Sequence, residues 1–105
     1  MLRVWISRVR PDKESRLRAW LAELGARADE VRDTFLDETV RAELAYIIAG
    51  DTGPLLIYVI EAEDPERGAQ AFANSRHRID AEHKAVMREC LAEPLQLAAL
   101  YDLKL

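Results

Sequence analysis

The middle of the chain carries two strand-like stretches joined by a short turn, and this hairpin constrains the fold more than any other feature. From Glu38 to Ala49 the side chains alternate, which is typical of a strand. Gly50, Asp51 and Gly53 supply the backbone angles of a tight turn, and Leu55 to Ala62 follows as a second strand. Because this second strand is apolar on both sides, we expect both of its faces to be buried.

Residues 2–10 show the same alternation and predict a first strand. Trp5 lies on one side of it, and three aliphatic residues lie on the other: Leu2, Val4 and Ile6. A strand that is apolar on both sides needs cover on both, so we expect a second copy of the chain over the face that the helices leave free. Apolar residues at spacings of three and four then predict one continuous helix from about Lys13 to Phe35.

The second half of the chain predicts a helix in two pieces. Asp64, followed by Pro65, is placed to cap a short helix that ends near Asn74 or Ser75. A second start appears at Asp80, and one face of this piece carries Ile79, His83, Val86, Met87, Cys90 and Leu91. We expect Cys90 to be a small buried apolar residue.

Pro94 is predicted to stop this helix, and alternation from Leu95 to Tyr101 predicts a last strand that ends at Leu103 or Leu105. The elements then run strand, helix, strand, strand, split helix, strand. This order is typical of a ferredoxin-like α+β domain, with an antiparallel sheet and helices on one face. At 105 residues the chain has room for one core, so residues 1–105 are predicted to form a single domain.

Composition argues against several kinds of partner. The 19 acidic side chains outnumber the 15 basic ones, and no basic stripe is present, so we expect no nucleic acid. No apolar run approaches the roughly 20 residues that span a bilayer, and arginines interrupt the opening where a secretion signal would be apolar. The expected location is the cytoplasm, where a single cysteine without a disulfide partner is ordinary.

Three stretches together carry a family resemblance: SRVRPDKESRLRAWLAEL, LLIYVIEAED and SRHRIDAEHKAVMRECL. They resemble a small bacterial domain family of unknown function in the dimeric α+β barrel superfamily. That superfamily includes cofactor-independent monooxygenases, sugar mutarotases, haem enzymes and members without a demonstrated activity. The resemblance therefore implies the fold and a homodimer, and it implies no catalytic residue.

His83 and Asp80 are the candidate catalytic residues. A histidine can act as an acid or base near neutral pH, and a carboxylate can fix its tautomer. The alternative is structural: Asp80 caps its helix, and His83 packs at the edge of the core. His77 is the only other histidine, and its spacing from His83 matches no recognised ligand pattern, so we expect no metal and no cofactor.

Four residues are candidates to line the second face of the sheet: Trp5, Tyr46, Tyr58 and Arg8. If that face encloses a barrel, a small apolar or aromatic ligand could bind there, with Tyr58, Arg8 and His77 as polar contacts. These patterns leave two functions open. One is a small-molecule binding protein or cofactor-free enzyme, monooxygenase-like or isomerase-like, with His83 as the acid or base; the other is a non-catalytic dimerisation or interaction module.

Overall fold

Four antiparallel strands form a single sheet, and four α-helices cover one of its faces. The computed structural model describes residues 1–105. In chain order the elements are β1 (Leu2–Val9), α1 (Glu14–Ala26), α2 (Ala28–Glu38), β2 (Val40–Gly50), β3 (Gly53–Ala62), α3 (Pro65–Ala73), α4 (Arg78–Cys90) and β4 (Leu91–Leu95). The strand order in the sheet is β2-β3-β1-β4. The predicted α+β fold, the element order and the split second helix are confirmed, and the topology is consistent with a ferredoxin-like domain.

Strand register decides which side chains face the helices. Trp5 pairs with Tyr58, and Tyr58 pairs with Ala45 on its other side. Because side chains alternate along each strand, these three point toward the helices, and their neighbours point to the outer face. The core lies between the sheet and the helices and contains Val9, Leu17, Trp20, Leu56, Ile79, Val86 and Cys90. Cys90 is fully buried there, as expected.

The first helical region is not the continuous helix that the periodicity predicts. A short 3-10 turn covers Pro11–Lys13, and Arg27 then separates α1 from α2 with φ −107° and ψ 38°. The Arg27 side chain explains how the break is held, because its guanidinium contacts Glu30 at 2.8 Å and Glu82 at 2.7 Å. The apolar spacing continues across the break, so the pattern alone could not reveal it.

The last strand was predicted too late in the chain. Helix α4 ends at Cys90, and β4 begins at the next residue, so Pro94 lies inside the strand and does not stop the helix. Strand β4 lies at the edge of the sheet, where a proline without an N–H is tolerated. Residues 96–105 form no regular secondary structure, and their large apolar side chains are exposed.

The outer face of the sheet is apolar and open. Its exposed side chains include Leu2, Val4, Leu44, Tyr46 and Ile48. They pair across strands in the observed register, as Val4 does with Val59 and Leu44 does with Val59 from the other side.

None of the helices is long and apolar enough to cross a membrane.

Candidate functional site

A cavity of about 610 Å³ lies between the sheet and helices α2, α3 and α4. This volume is within the range of about 300 to 1,000 Å³ that is usual for small-molecule sites. Most of its lining side chains are apolar or aromatic, including Val31, Phe35, Ile60, Phe72 and Met87. Polar groups are concentrated among Glu38, Glu43, Tyr58, Asp80 and His83. The cavity therefore combines an apolar body with a small set of titratable groups.

His83 lines this cavity from α4. Its Nδ1 accepts a hydrogen bond from Trp20 Nε1 at 2.9 Å, so in the neutral ring the proton is carried by Nε2. Nε2 makes no hydrogen bond to the protein and is not sealed from solvent. Burial lowers the pKa of His83, and the nearby Asp80 only partly offsets that effect. The ring is therefore neutral at pH 7, fixed by Trp20 on one side and free on the other.

Asp80 lies in the first turn of α4, but it does not cap that helix. His77 is the N-cap residue, and no side chain accepts a capping hydrogen bond there. The Asp80 carboxylate instead accepts a hydrogen bond from Ser75 Oγ at 2.6 Å. It is 6% exposed and lines the cavity, but no hydrogen bond joins it to His83. Its effect on His83 is therefore through charge, because Trp20 and not Asp80 fixes the ring.

Two further carboxylates face the same space. Glu38, the last residue of α2, is 8% exposed, and its pKa is raised to about 7 by burial and by repulsion from Asp80 and Glu43. Glu43 lies on β2 and accepts a hydrogen bond from the Tyr58 hydroxyl, yet burial still raises its pKa. Glu38 therefore holds a proton near neutral pH, as catalytic carboxylates do.

Aromatic rings form the wall beside these groups. Tyr58 has its ring 6.1 Å from Trp5 in an edge-to-face arrangement and 6.0 Å from the His83 ring. Phe72 approaches His83 from α3, also edge to face, at 6.0 Å. Trp5 and Tyr58 thus lie in the cavity on the helix side of the sheet, not on the free face, where the sequence predicted them.

Three predicted ligand contacts lie elsewhere. Tyr46 is on the outer face of the sheet and is 53% exposed. Arg8 is also outside the cavity, where it donates to Thr52 Oγ1 at 2.7 Å and pairs with Glu93 at 3.0 Å. His77 Nε2 lies 2.7 Å from Asp37 at the surface, and this contact raises the pKa of His77. The period of two puts Tyr46 and Arg8 on the opposite side of the sheet from Tyr58, so they cannot share a site with it.

Glu38, Glu43 and Trp20 are the site residues that sequence reasoning missed. The two glutamates did carry a signal, since each interrupts an apolar pattern. Glu38 continues the helix stripe of Val31 and Phe35, and Glu43 shares the side of β2 that holds Ala45 and Ile47. A carboxylate at an inward position costs stability unless it is compensated, which makes it a site candidate.

The fold and cavity together define a class: a ferredoxin-like α+β domain with a small-molecule-sized cavity between its sheet and its helices. Residues 2–104 match the model of a family described as "Family of unknown function (DUF6176)". The chain therefore belongs to this family. No curated protein matches it, and no solved structure does. No group of three or more histidine, cysteine, aspartate or glutamate side chains is arranged to hold a metal ion.

Proposed function

We propose that this protein binds a small, mainly apolar or aromatic molecule in the cavity and transfers protons to or from it without a cofactor. The observation that carries the proposal is the pairing of that cavity with His83 Nε2, which makes no hydrogen bond to the protein, and with the Glu38 carboxyl, whose one donor is the Thr34 hydroxyl. His83 presents its neutral Nε2–H to the cavity as a hydrogen-bond donor, because Trp20 occupies Nδ1, and a carboxyl with a pKa of about 7 can take up and release a proton near that pH. An isomerase-like proton transfer requires such a pair of groups.

A screen of small aromatic compounds by thermal shift tests the binding. The blocking variant is Ala69→Trp, because Ala69 lines the cavity from an exposed position on α3. The matched control is Ala85→Trp, since Ala85 is exposed on α4 and does not line the cavity. We expect ligands that raise the Tm of the wild type and of the control but not of Ala69→Trp. Hits that stabilise all three proteins equally would place binding outside the cavity and overturn the proposal.

We further propose that the functional unit is a homodimer in which two outer sheet faces pack together. Strands of about eight residues at 3.3 Å each, four abreast at about 4.8 Å, give a face of about 500 Å². An apolar patch of that size is at the upper end of what monomers expose. The exposed apolar residues of segment 96–105 would add to the interface and bring it closer to the about 800 Å² per partner of a stable complex.

Light scattering tests the dimer. The wild type should give twice the chain mass of 12.0 kDa at micromolar concentration. Leu44→Glu, on the outer face, should shift it toward the monomer, whereas Leu36→Glu, at an 82% exposed position on α2, should not. A wild-type monomer at all concentrations would contradict the dimer.

The open sheet face also favours a second candidate, a non-catalytic dimerisation module. In that case the cavity is incidental to function. Two results together would favour this candidate over the first. The protein would be a dimer that no compound stabilises through the cavity, and Leu44→Glu, which breaks the dimer, would be the only variant that changes a measured property.

A further inference from the structure

We propose that the ligand is a cationic amine attached to an apolar or aromatic body. This inference rests on the proposed cavity function and adds the charge of the ligand. Four carboxylates line the cavity, from Glu38, Glu43, Glu66 and Asp80, against the single guanidinium of Arg3. His83 adds no positive charge, because its ring is neutral at pH 7. An anionic ligand would meet net repulsion in this space, and a cation would meet attraction.

Glu38 is the group that most needs such a partner. It is more than nine-tenths buried, and the one side chain that donates to its carboxylate is Thr34, which offsets only part of the rise in its pKa. The Thr34 hydroxyl also lies 2.7 Å from the Val31 carbonyl, so its single hydrogen is shared between two acceptors. By contrast, Asp80 has Ser75 and Glu43 has Tyr58 as donors. An ammonium group brings three N–H donors and a positive charge, which would satisfy Glu38 and reduce its repulsion from both neighbours.

The aromatic wall suits the same ligand. Trp5, Tyr58 and Phe72 line the cavity next to the acids, and the negative face of an aromatic ring attracts a cation. The molecule already uses this interaction at the edge of the site, where Lys84 Nζ lies 4.7 Å from the centre of the Phe72 ring. Carboxylates beside aromatic rings, within an otherwise apolar cavity, recognise a cation with an apolar body better than a neutral molecule of the same shape.

Binding of an amine should release a proton from Glu38. A cation stabilises the ionised carboxylate, so the pKa of Glu38, about 7 in the free protein, should fall in the complex. Affinity should therefore rise by about tenfold between pH 6 and pH 8 as Glu38 ionises. The other charged or titratable groups that face this space are Arg3, Glu43, Tyr58, Glu66, Asp80 and His83. His83 acts in the same direction, because it loses any positive charge as the pH rises.

The test compares three probes with one aromatic body: tryptamine, a cation at neutral pH; tryptophol, its neutral alcohol; and indole-3-acetate, an anion. Isothermal titration calorimetry with the wild-type protein should give about tenfold tighter binding for tryptamine than for tryptophol, and weaker binding still for indole-3-acetate. Repeating the tryptamine titration in two buffers of different ionisation enthalpy at pH 7 should show proton release.

Glu38→Gln should weaken tryptamine binding by about tenfold, leave tryptophol binding within about twofold, and abolish the proton release. The matched control is Asp29→Asn, a fully exposed acid on the same helix, which should bind all three probes as the wild type does. If tryptophol or indole-3-acetate binds as tightly as tryptamine, the inference is overturned while the cavity function stands. If none of the three probes binds, both the inference and the proposal that the cavity binds small aromatic molecules are contradicted.

Discussion

Replacing Glu38 by glutamine should change how the stability of this protein depends on pH. The pKa of Glu38 is raised from 4.5 in the unfolded chain to about 7 in the folded protein. Between these two values the folded state binds more protons than the unfolded state, so stability falls as the pH rises through this window. Glutamine has nearly the same shape as glutamate and does not ionise, so Glu38→Gln should not lose this stability as the pH rises.

The size of the effect follows from the shift. A difference of about 2.5 pKa units corresponds to about 3.4 kcal/mol at about 1.36 kcal/mol per unit. Because the cavity is open to water, which screens the charge, we reduce this to about 2 kcal/mol. Glu38→Gln should therefore match the wild type near pH 4.5 and exceed its free energy of unfolding by about 2 kcal/mol at pH 8.

Urea denaturation, followed by tryptophan fluorescence at half-unit steps from pH 4.5 to 8, measures this difference. Comparing the two proteins at each pH cancels the contributions of the other titrating groups, His83 among them. Asp29→Asn, which removes an exposed acid from the same helix, serves as the control and should run parallel to the wild type. Parallel curves for Glu38→Gln and the wild type would mean that Glu38 is not a buried, repelled carboxylate, and would refute the electrostatic account of the site.

Three further predictions concern single residues: Trp20, His83 and Gly68. Trp20→Ala should lower the free energy of unfolding by about 3 to 5 kcal/mol, because Trp20 is buried in the core. Trp20→Phe should lower it by about 1 to 3 kcal/mol, because His83 Nδ1 loses its hydrogen-bond donor. Urea denaturation measures both losses. An NMR titration should put the pKa of His83 below its usual 6.5, so that protonation of this group removes stability as the pH falls below about 6.5. Gly68→Ala should lower the free energy of unfolding by about 1 to 3 kcal/mol, because its Cβ would clash with the Glu38 carbonyl oxygen. Gly25→Ala meets nothing within 4 Å and should be neutral or stabilising.

Each of these outcomes has an opposite that would count against the structure. A loss under about 1 kcal/mol for Trp20→Ala would move that ring to the surface. A pKa of His83 at or above 6.5 would mean that the ring is solvated or paired with Asp80. A Gly68→Ala protein as stable as the Gly25→Ala control would mean that α3 and the end of α2 do not touch at Gly68.

Periodicity predicted most of the architecture because the hydrophobic pattern repeats with the period of each element. The alternation in residues 2–10 and 38–62 located three strands, and the turn residues at 50–54 fixed how two of them pair. Element ends were less predictable. The break at Arg27 depends on ion pairs with Glu30 and Glu82, and the second of these is a contact between residues 55 positions apart. No local pattern contains such a contact.

The last strand shows a different limit. The apolar spacing places Leu91 on the face of α4, and an apolar side chain that is half-buried, as Leu91 is in β4, suits a strand as well as a helix. Pairing with β1 decides it: Leu91 lies opposite Val9, and Leu95 lies opposite Ile6. The alternation after Leu95 predicted a strand, but residues 96–105 pair with no strand of the sheet.

The candidate site was only half predictable, because sequence shows which side chains point inward and not whether they fill the space they point into. His83, Asp80, Trp5 and Tyr58 were all singled out, and all four line the cavity. Glu38 was not, although it interrupts an apolar stripe. A buried carboxylate that neighbouring acids repel lowers stability, and a better-packed apolar residue at that position would raise it. This position opens into the cavity beside two other acids, and the stability given up there is the observation that the proposed bound cation would account for.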